Sequence, residues 1–192
     1  ITFTGVGQPI VGSPAAGFPQ AVRFGTASAT VGTGGPPDVT FEGIDVQGAA
    51  AGAGIIFNAC ARVVVRNCRV QFCGAGIYVQ QTVDATIETS QVNNVGAVPG
   101  APGASSYAGG ITAYYNSHNC VIRRNNVLDC TNQGIFIGST GAATAPLNVV
   151  CVNNFVRNCV GAGTFPGGVS HRRGSTTIAN NTILMPAGAT SA

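Results

Sequence analysis

A repeated pattern of short apolar segments is the feature that most constrains how this 192-residue chain can fold. In each repeat an apolar anchor is followed five positions later by a second apolar residue, as in Val65 and Val70. The other pairs with this spacing are Phe41/Val46, Ile87/Val92, Ile122/Val127, Val150/Phe155 and Ile178/Ile183. A small residue then introduces a further apolar run, of which Gly76 to Val79 is one example. Repeats in a common register predict a solenoid of stacked units.

Successive anchors are 22 to 35 residues apart, so the differences in length must lie in loops. Stretches rich in Gly, Pro and Ala can supply them: Gly25 to Pro37, Gly96 to Gly109, Ser139 to Pro146 and Gly161 to Gly167. Asparagines inside the pairs predict corners, because Asn tolerates a left-handed backbone. They are Asn125 and Asn126, Asn153 and Asn154, and Asn181. Helical periodicity is absent, so we expect an all-β chain of strands, turns and loops.

The repeat resembles the coil of the right-handed parallel β-helix in the pectin-lyase-like superfamily. The motifs that carry the resemblance are "VVVRNCRV", "CVIRRNNVLDC", "NVVCVNNFVRNC" and "TTIANNTILMP". It implies one β-helix domain of six to seven coils over residues 1–192, with a first coil and long loop at 1–38, regular coils at 39–185 and a tail at 186–192. It implies no single function, because enzymes, tailspikes, adhesins and structural solenoids share this fold.

Seven cysteines leave at least one thiol unpaired within the chain. When the repeats are stacked, Cys73, Val95, Cys130 and Cys159 form one inward column, and Cys68 lies in a corner column. We expect these thiols to fill the core. A disulfide between Cys130 and Cys159 is the alternative, since adjacent coils have a suitable spacing. The cysteines lack the spacing of a zinc site, so we expect no metal and no cofactor.

Charged residues make up only 8% of the chain, and the net charge is +3. The basic residues are scattered arginines, which argues against a nucleic-acid partner, and no apolar run is long enough to span a membrane. In the stacked repeats acids alternate with arginines, an order that stabilises neighbouring strands. The predicted charge columns are Glu42, Arg66, Glu88 and Arg123; Asp45 and Arg69; Asp38, Arg62 and Asp84; and Asp129 and Arg157.

These columns argue against catalysis. Glycosidases usually need two carboxylates about 5 to 9.5 Å apart, whereas acids in one column are two coils, about 9.6 Å, apart with an arginine between them. The superfamily's lyases hold calcium with clustered acids, which this chain lacks. The remaining weak candidates are His171 as a base, with Arg172 and Arg173 as ligands for a uronate. Alternation places His171 inward, which favours a partly buried structural histidine.

The second strand of each unit has an outward column that we interpret as a binding surface, comprising Ile56, Tyr78, Thr112 and Phe136. Exposed aromatic rings could stack on sugars or pack against a protein. The low charge favours protein contact, including contact with a second copy.

No amphipathic capping helix is evident in the sequence, so we expect uncapped ends that can add copies head to tail. The first hypothesis is therefore a secreted, non-catalytic solenoid that forms an extracellular fibre or surface layer. The alternative is a polysaccharide-active enzyme or carbohydrate-binding module, with a groove between Gly96 to Gly109 and Gly161 to Gly167. It predicts oligosaccharide binding and loss of activity in Arg172→Ala. A third hypothesis is a trimeric, tailspike-type receptor-binding fragment.

Overall fold

The computed structural model describes residues 1–5, 10–11, 22–25, 32–33, 35–48, 52–96, 109–159 and 167–186. Its strands in chain order are β1 (Thr2–Thr4), β2 (Ile10–Val11), β3 (Val22–Phe24), β4 (Pro37–Glu42), β5 (Asp45–Gln47), β6 (Ala53–Asn58), β7 (Ala61–Arg66), β8 (Arg69–Gln71), β9 (Ala75–Gln80), β10 (Thr86–Glu88), β11 (Gln91–Asn93), β12 (Ile111–Tyr114), β13 (Val121–Arg123), β14 (Asn126–Leu128), β15 (Ile135–Gly138), β16 (Val149–Val152), β17 (Phe155–Arg157), β18 (Val169–Arg172), β19 (Thr176–Ala179) and β20 (Thr182–Leu184).

The strands form three parallel sheets, which we call A, B and C. Sheet A has the order β1-β4-β7-β10-β13-β16-β19, sheet B β2-β5-β8-β11-β14-β17-β20, and sheet C β3-β6-β9-β12-β15-β18. Each coil adds one strand to A, then B, then C, so the chain makes six full coils and begins a seventh with β19 and β20. The prediction of an all-β, right-handed parallel β-helix of six to seven coils is confirmed.

The core runs along the inside of the three sheets. Strand alternation directs the anchors Val65, Ile87 and Ile122 inward, where they pair in register and are fully buried. The glycines that introduce sheet C bring neighbouring coils close together. A Cβ atom at Gly76 would lie 2.1 Å from the carbonyl oxygen of Gly110, so this position accepts only glycine.

The sixth coil is shifted by one residue from the sequence prediction. Its inward pair is Cys151 and Val156, where the sequence predicted Val150 and Phe155. The reason is that the four residues of β16 are all apolar, so alternation alone could not determine which of them face inward. With the corrected anchor, Cys159 lies eight residues later, at the same position as the other members of its column.

Every described corner from sheet A to sheet B contains a left-handed residue two positions after the anchor. With φ between 48° and 66°, these residues are Gly43, Asn67, Thr89, Arg124, Asn153 and Asn180. The next position points inward and forms a polar ladder in which Asn125 N–H donates to Asn154 Oδ1 at 3.0 Å and Asn154 N–H donates to Asn181 Oδ1 at 2.9 Å. Of the predicted corner asparagines, Asn153 is left-handed, whereas Asn125, Asn154 and Asn181 form the ladder. Asn126 was wrongly placed in the corner, because it is the first residue of β14.

A short 3-10 helix, Ala142–Thr144, lies in the predicted loop from Ser139 to Pro146, where no helix was expected. Its Thr144 N–H donates to the carbonyl of Gly141 at 3.3 Å, and a single turn of this kind leaves no periodicity in the sequence. The loops from Gly96 to Gly109 and from Gly161 to Gly167 lie largely outside the described residues, so the groove expected between them is not described. Within the described ranges, no helix is long and apolar enough to cross a membrane.

All seven cysteines are buried. Cys130 and Cys159, the alternative disulfide pair, lie at equivalent positions in adjacent coils. Cys68 occupies the corner column as expected, and its backbone N–H donates to Ser90 Oγ at 3.2 Å. The thiols thus occupy core positions as small apolar groups.

Candidate functional site

The outer face of sheet A carries a ladder of ion pairs. The register places Glu42, Arg66, Glu88 and Arg123 side by side in successive coils. Arg66 Nη2 lies 2.8 Å from a carboxylate oxygen of Glu42, and Arg123 Nη2 lies 2.7 Å from one of Glu88. The hydrogen bond from Arg66 lowers the pKa of Glu42. Each of these carboxylates is held by an arginine of the next coil.

Two further ion pairs join the second and third coils. Arg62 Nη2 donates to Asp38 Oδ2 at 2.9 Å, and the hydrogen bonds from Arg62 lower the pKa of Asp38. On sheet B, Arg69 Nε donates to Asp45 Oδ2 at 2.9 Å. Asp45 is fully buried, and its Oδ1 has no hydrogen-bond partner in the described part of the chain. Because a buried carboxylate is costly unless it is paired, the contact with Arg69 is required to offset this burial.

The remaining carboxylates are those of Asp84 and Asp129. Asp84 accepts a hydrogen bond from Asn119 Nδ2 at 3.1 Å. Asp129 lies 3.8 Å from Arg157 and accepts from Asn158 Nδ2 at 3.0 Å. Among the described residues, no group of three or more His, Cys, Asp or Glu side chains could hold a metal ion. Each of the six Asp and Glu side chains therefore has a hydrogen-bond or ion-pair partner in a neighbouring coil.

The candidates His171, Arg172 and Arg173 lie at the end of sheet C. His171 pairs in register with the buried Ile137, but its own side chain is exposed. The expectation of a partly buried histidine is wrong, because β18 is the last described strand of its sheet and no described strand stacks beyond it. Arg173 donates a hydrogen bond to the carbonyl of Thr140, which ties it to a loop of the preceding coil.

The predicted binding surface on sheet C is less exposed than the alternation implied. Thr112 and Phe136 are fully buried, whereas Ile56 and Tyr78 are partly exposed. Phe136 packs against Tyr114 with 6.4 Å between ring centroids, and Thr112 Oγ1 accepts a backbone hydrogen bond from the segment before β12. Exposure of Thr112 and Phe136 was wrongly expected, because alternation gives the direction of a side chain but not what covers it.

Three partly exposed tyrosines lie together on this face and at its edge, and we call Tyr78, Tyr114 and Tyr115 the tyrosine cluster. The ring centroids of Tyr78 and Tyr114 are 6.0 Å apart, as are those of Tyr114 and Tyr115. All three side chains are partly exposed, and burial raises the pKa of Tyr78. Tyr114 was not among the predicted surface residues, although its position two residues after Thr112 on the same strand places it on the same outward face.

The terminal coils expose side chains that belong to the core columns. Ile178 on β19 is 44% exposed, Ile183 on β20 is 42% exposed, and Phe3 on β1 is 39% exposed, whereas the equivalent anchors of the inner coils are buried. Each of these strands is the last described strand of its sheet. None of the three contains a charged residue. Their backbone edges are therefore suited to pairing with a further parallel strand.

Comparison with known proteins identifies a family and a solved structure with a similar fold. Residues 29–189 match the family model described as a right handed beta helix region. No curated protein sequence matches the chain. Among solved structures, the crystal structure of the Dettilon tailspike protein is similar to 84% of this chain, with 17% sequence identity and a TM-score of 0.47. The matched chain of that tailspike is longer, and only 32% of it is covered.

Proposed function

Since the chain belongs to the right-handed β-helix family, we propose that it is a non-catalytic structural solenoid that stacks end to end with copies of itself. The proposed location is extracellular, in a fibre or surface layer. The exposure of core-column side chains at the terminal coils is the observation that carries the proposal. Ile178 and Ile183 at one end and Phe3 at the other lose contact with water when a further coil covers them.

The register of the repeats supports contact between opposite ends. Phe3 pairs with Phe41, and the same column continues through the inner coils to Cys151 and Ile178. A second copy whose β1 pairs with β19 therefore brings its Phe3 over Ile178. Sheets A and B make this contact, because each has seven described strands whereas sheet C has six. The result is a heterologous interface, which gives a filament unless the ring closes.

The charge distribution is compatible with such stacking. The contact strands β1, β19 and β20 contain Thr, Phe, Ile, Ala and Leu, with no charged side chain to oppose a partner. Sheet proteins that remain monomeric commonly protect an edge with charged side chains or a covering segment. Five of the six Asp and Glu side chains form ion pairs with arginines of the next coil, which supports a role of these residues in stacking.

Light scattering and negative-stain electron microscopy over a concentration series test the proposal. We expect the mass to rise with concentration and filaments to show an axial repeat of about 34 Å, from seven strands spaced about 4.8 Å apart. Monomers at every concentration would overturn the proposal. Closed trimers would also contradict it and would favour a tailspike-type receptor-binding role.

A pair of variants identifies the contact. Ile178→Asp places a charge on the terminal edge. We expect the average particle mass of this variant to stay constant as the protein concentration rises, and the fold to persist because Ile178 is already 44% exposed. Gln91→Asp places the same charge on the exposed side of an inner strand and should leave assembly unchanged. Equal effects of the two variants would argue against end-to-end contact.

The tyrosine cluster supports a second candidate, a carbohydrate-binding module. Tyrosine rings can stack on sugars, and Tyr78 and Tyr114 present two of them at a separation of 6.0 Å. Calorimetric titration with oligouronates tests it. Tyr114→Ala and Arg172→Ala should weaken binding about tenfold, a loss of about 1.4 kcal/mol, whereas Gln91→Ala should not. If no oligouronate gives a heat of binding, the carbohydrate-binding role is excluded and only the structural role remains.

A further inference from the structure

Cys130 and Cys159 stack directly on each other in adjacent coils. Leu128 pairs with Arg157 in the parallel ladder, and Asp129 N–H donates to the carbonyl of Arg157 at 2.9 Å, so the register continues to the cysteines two residues beyond. Both side chains point inward and are at most 1% exposed. A hydrogen bond between the two thiols, together with burial, raises the pKa of Cys130.

This pairing is specific to these two cysteines within the described coils. Cys68 stacks on Ser90, and Val121 N–H donates to the carbonyl of Ala85, which places Cys120 beside Ala85. The remaining cysteines likewise have partners other than cysteine at the positions where the ladder is described. A disulfide between neighbouring coils therefore has one geometrically matched location.

The two sulfur atoms have equivalent surroundings in their coils. A Cβ atom at Gly110 would lie 3.0 Å from Cys130 Sγ, and one at Gly134 would lie 3.1 Å from Cys159 Sγ. Each sulfur thus lies beside a glycine of the preceding coil, so the two sulfurs occupy equivalent positions. Neighbouring strands are about 4.8 Å apart, which is inside the Cα separation of roughly 4.4 to 6.8 Å found in disulfides.

We propose that Cys130 and Cys159 form a disulfide that joins the fifth coil to the sixth. The two thiols lose two protons and two electrons as the S–S bond forms. A disulfide oxidant such as oxidised glutathione accepts both electrons and both protons and is released as two thiols. Because the sulfurs are buried in the folded chain, the exchange takes place while the coils assemble. The bond is independent of end-to-end stacking, since it lies between inner coils.

Peptide mapping of the refolded chain tests this bond. The chain is refolded with oxidised and reduced glutathione, denatured in acid, alkylated and digested. Trypsin cleaves after arginine and gives 125–157 and 158–172, and chymotrypsin then cleaves after Phe136 to separate Cys130 from Cys151. We expect a linked pair of Cys130 and Cys159 peptides, with the other five cysteines alkylated.

Thermal unfolding with matched variants tests the contribution of the bond. The oxidised chain should melt roughly 5 to 15 °C higher than the chain kept in dithiothreitol, because a loop of this length is closed in the unfolded state. Cys130→Ala should remove both the link and the effect of dithiothreitol, while Cys73→Ala should retain them. Seven alkylated cysteines, a link elsewhere, or an oxidised form that melts at the same or lower temperature would overturn the proposal.

Discussion

At the scale of single residues, neighbouring asparagines have different roles in the same corner. Asn153 is exposed and has a φ of 57°, a backbone region that few residues other than Gly and Asn enter readily. Asn154 is only 2% exposed, and its amide bridges the coils on either side. Its Nδ2 donates to the carbonyl of Ile122 in the preceding coil at 3.0 Å and to Asn181 Oδ1 in the following coil at 2.9 Å. The corner therefore depends on the backbone at one position and on the side chain at the next.

Replacing the ladder residue should destabilise the fold. Asn154→Ala leaves the buried backbone N–H of Asn125 and the carbonyl of Ile122 without their side-chain partner, and we expect a loss of about 2 to 4 kcal/mol in the free energy of unfolding. Asn153→Gly keeps the left-handed backbone and should change it by less than about 0.5 kcal/mol. Urea denaturation monitored by circular dichroism measures both. Similar losses in the two variants would contradict the division of roles.

The pair of Glu42 and Arg66 should make stability depend on pH. The hydrogen bond from Arg66 lowers the pKa of Glu42 below its ordinary value of 4.5. The carboxylate therefore stabilises the folded state above about pH 4.5, and this contribution is lost as the pH falls through the lowered pKa. The difference in melting temperature between the wild type and Glu42→Gln should be largest near pH 6 and should shrink in acid. A difference that does not change with pH would exclude this ion pair as its cause.

At the scale of elements, each strand is short, and its position depends on close contact between coils. Strand β9 lies between β6 and β12, and its second residue is Gly76. The nearest heavy atom to a Cβ at that position would be the carbonyl oxygen of Gly110, which is fixed in the next coil. The stack therefore tolerates a side chain less well here than in a loop.

Gly76→Ala tests this element-scale constraint. With only 2.1 Å between the added Cβ and Gly110 O, the strands must separate, and we expect a loss of about 3 kcal/mol or more or failure to fold. Gly141→Ala is the matched control, because its added Cβ would meet only the hydroxyl of Thr144 at 3.2 Å. Melting temperature and soluble yield provide the measurements. A Gly76→Ala variant as stable as the control would show that the coils can separate at little cost.

At the scale of the whole molecule, the solenoid is held by contacts between neighbouring coils, so stability should vary along its axis. Inner anchors such as Ile87 have a neighbouring coil on both sides, whereas Ile178 and Ile183 have a described coil on one side only. The coils at the end of the stack therefore open more easily than the coils within it.

Hydrogen exchange followed by mass spectrometry should show this gradient. We expect amides of β19 and β20 to exchange at least about tenfold faster than those of β9 and β12 in dilute protein, because opening the last coil disrupts one interface rather than two. Raising the protein concentration should slow exchange at β19 and β20 if copies stack on them. Uniform protection along the chain at low concentration would contradict the gradient.

The sequence by itself determined the repeat, the parallel β-helix and the neighbours in each column. This was so because equivalent residues of successive coils lie beside one another, so that aligning repeats identifies contacts such as Glu42 with Arg66. Tertiary structure alone decided which residues of β16 face the core. The strand is entirely apolar, so the sequence could not distinguish Cys151 from Val150 as the anchor. Tertiary structure also decided the exposure of individual side chains. Phe136 is covered although it points outward, and His171 is uncovered although it points inward, because exposure depends on what packs beyond the strand.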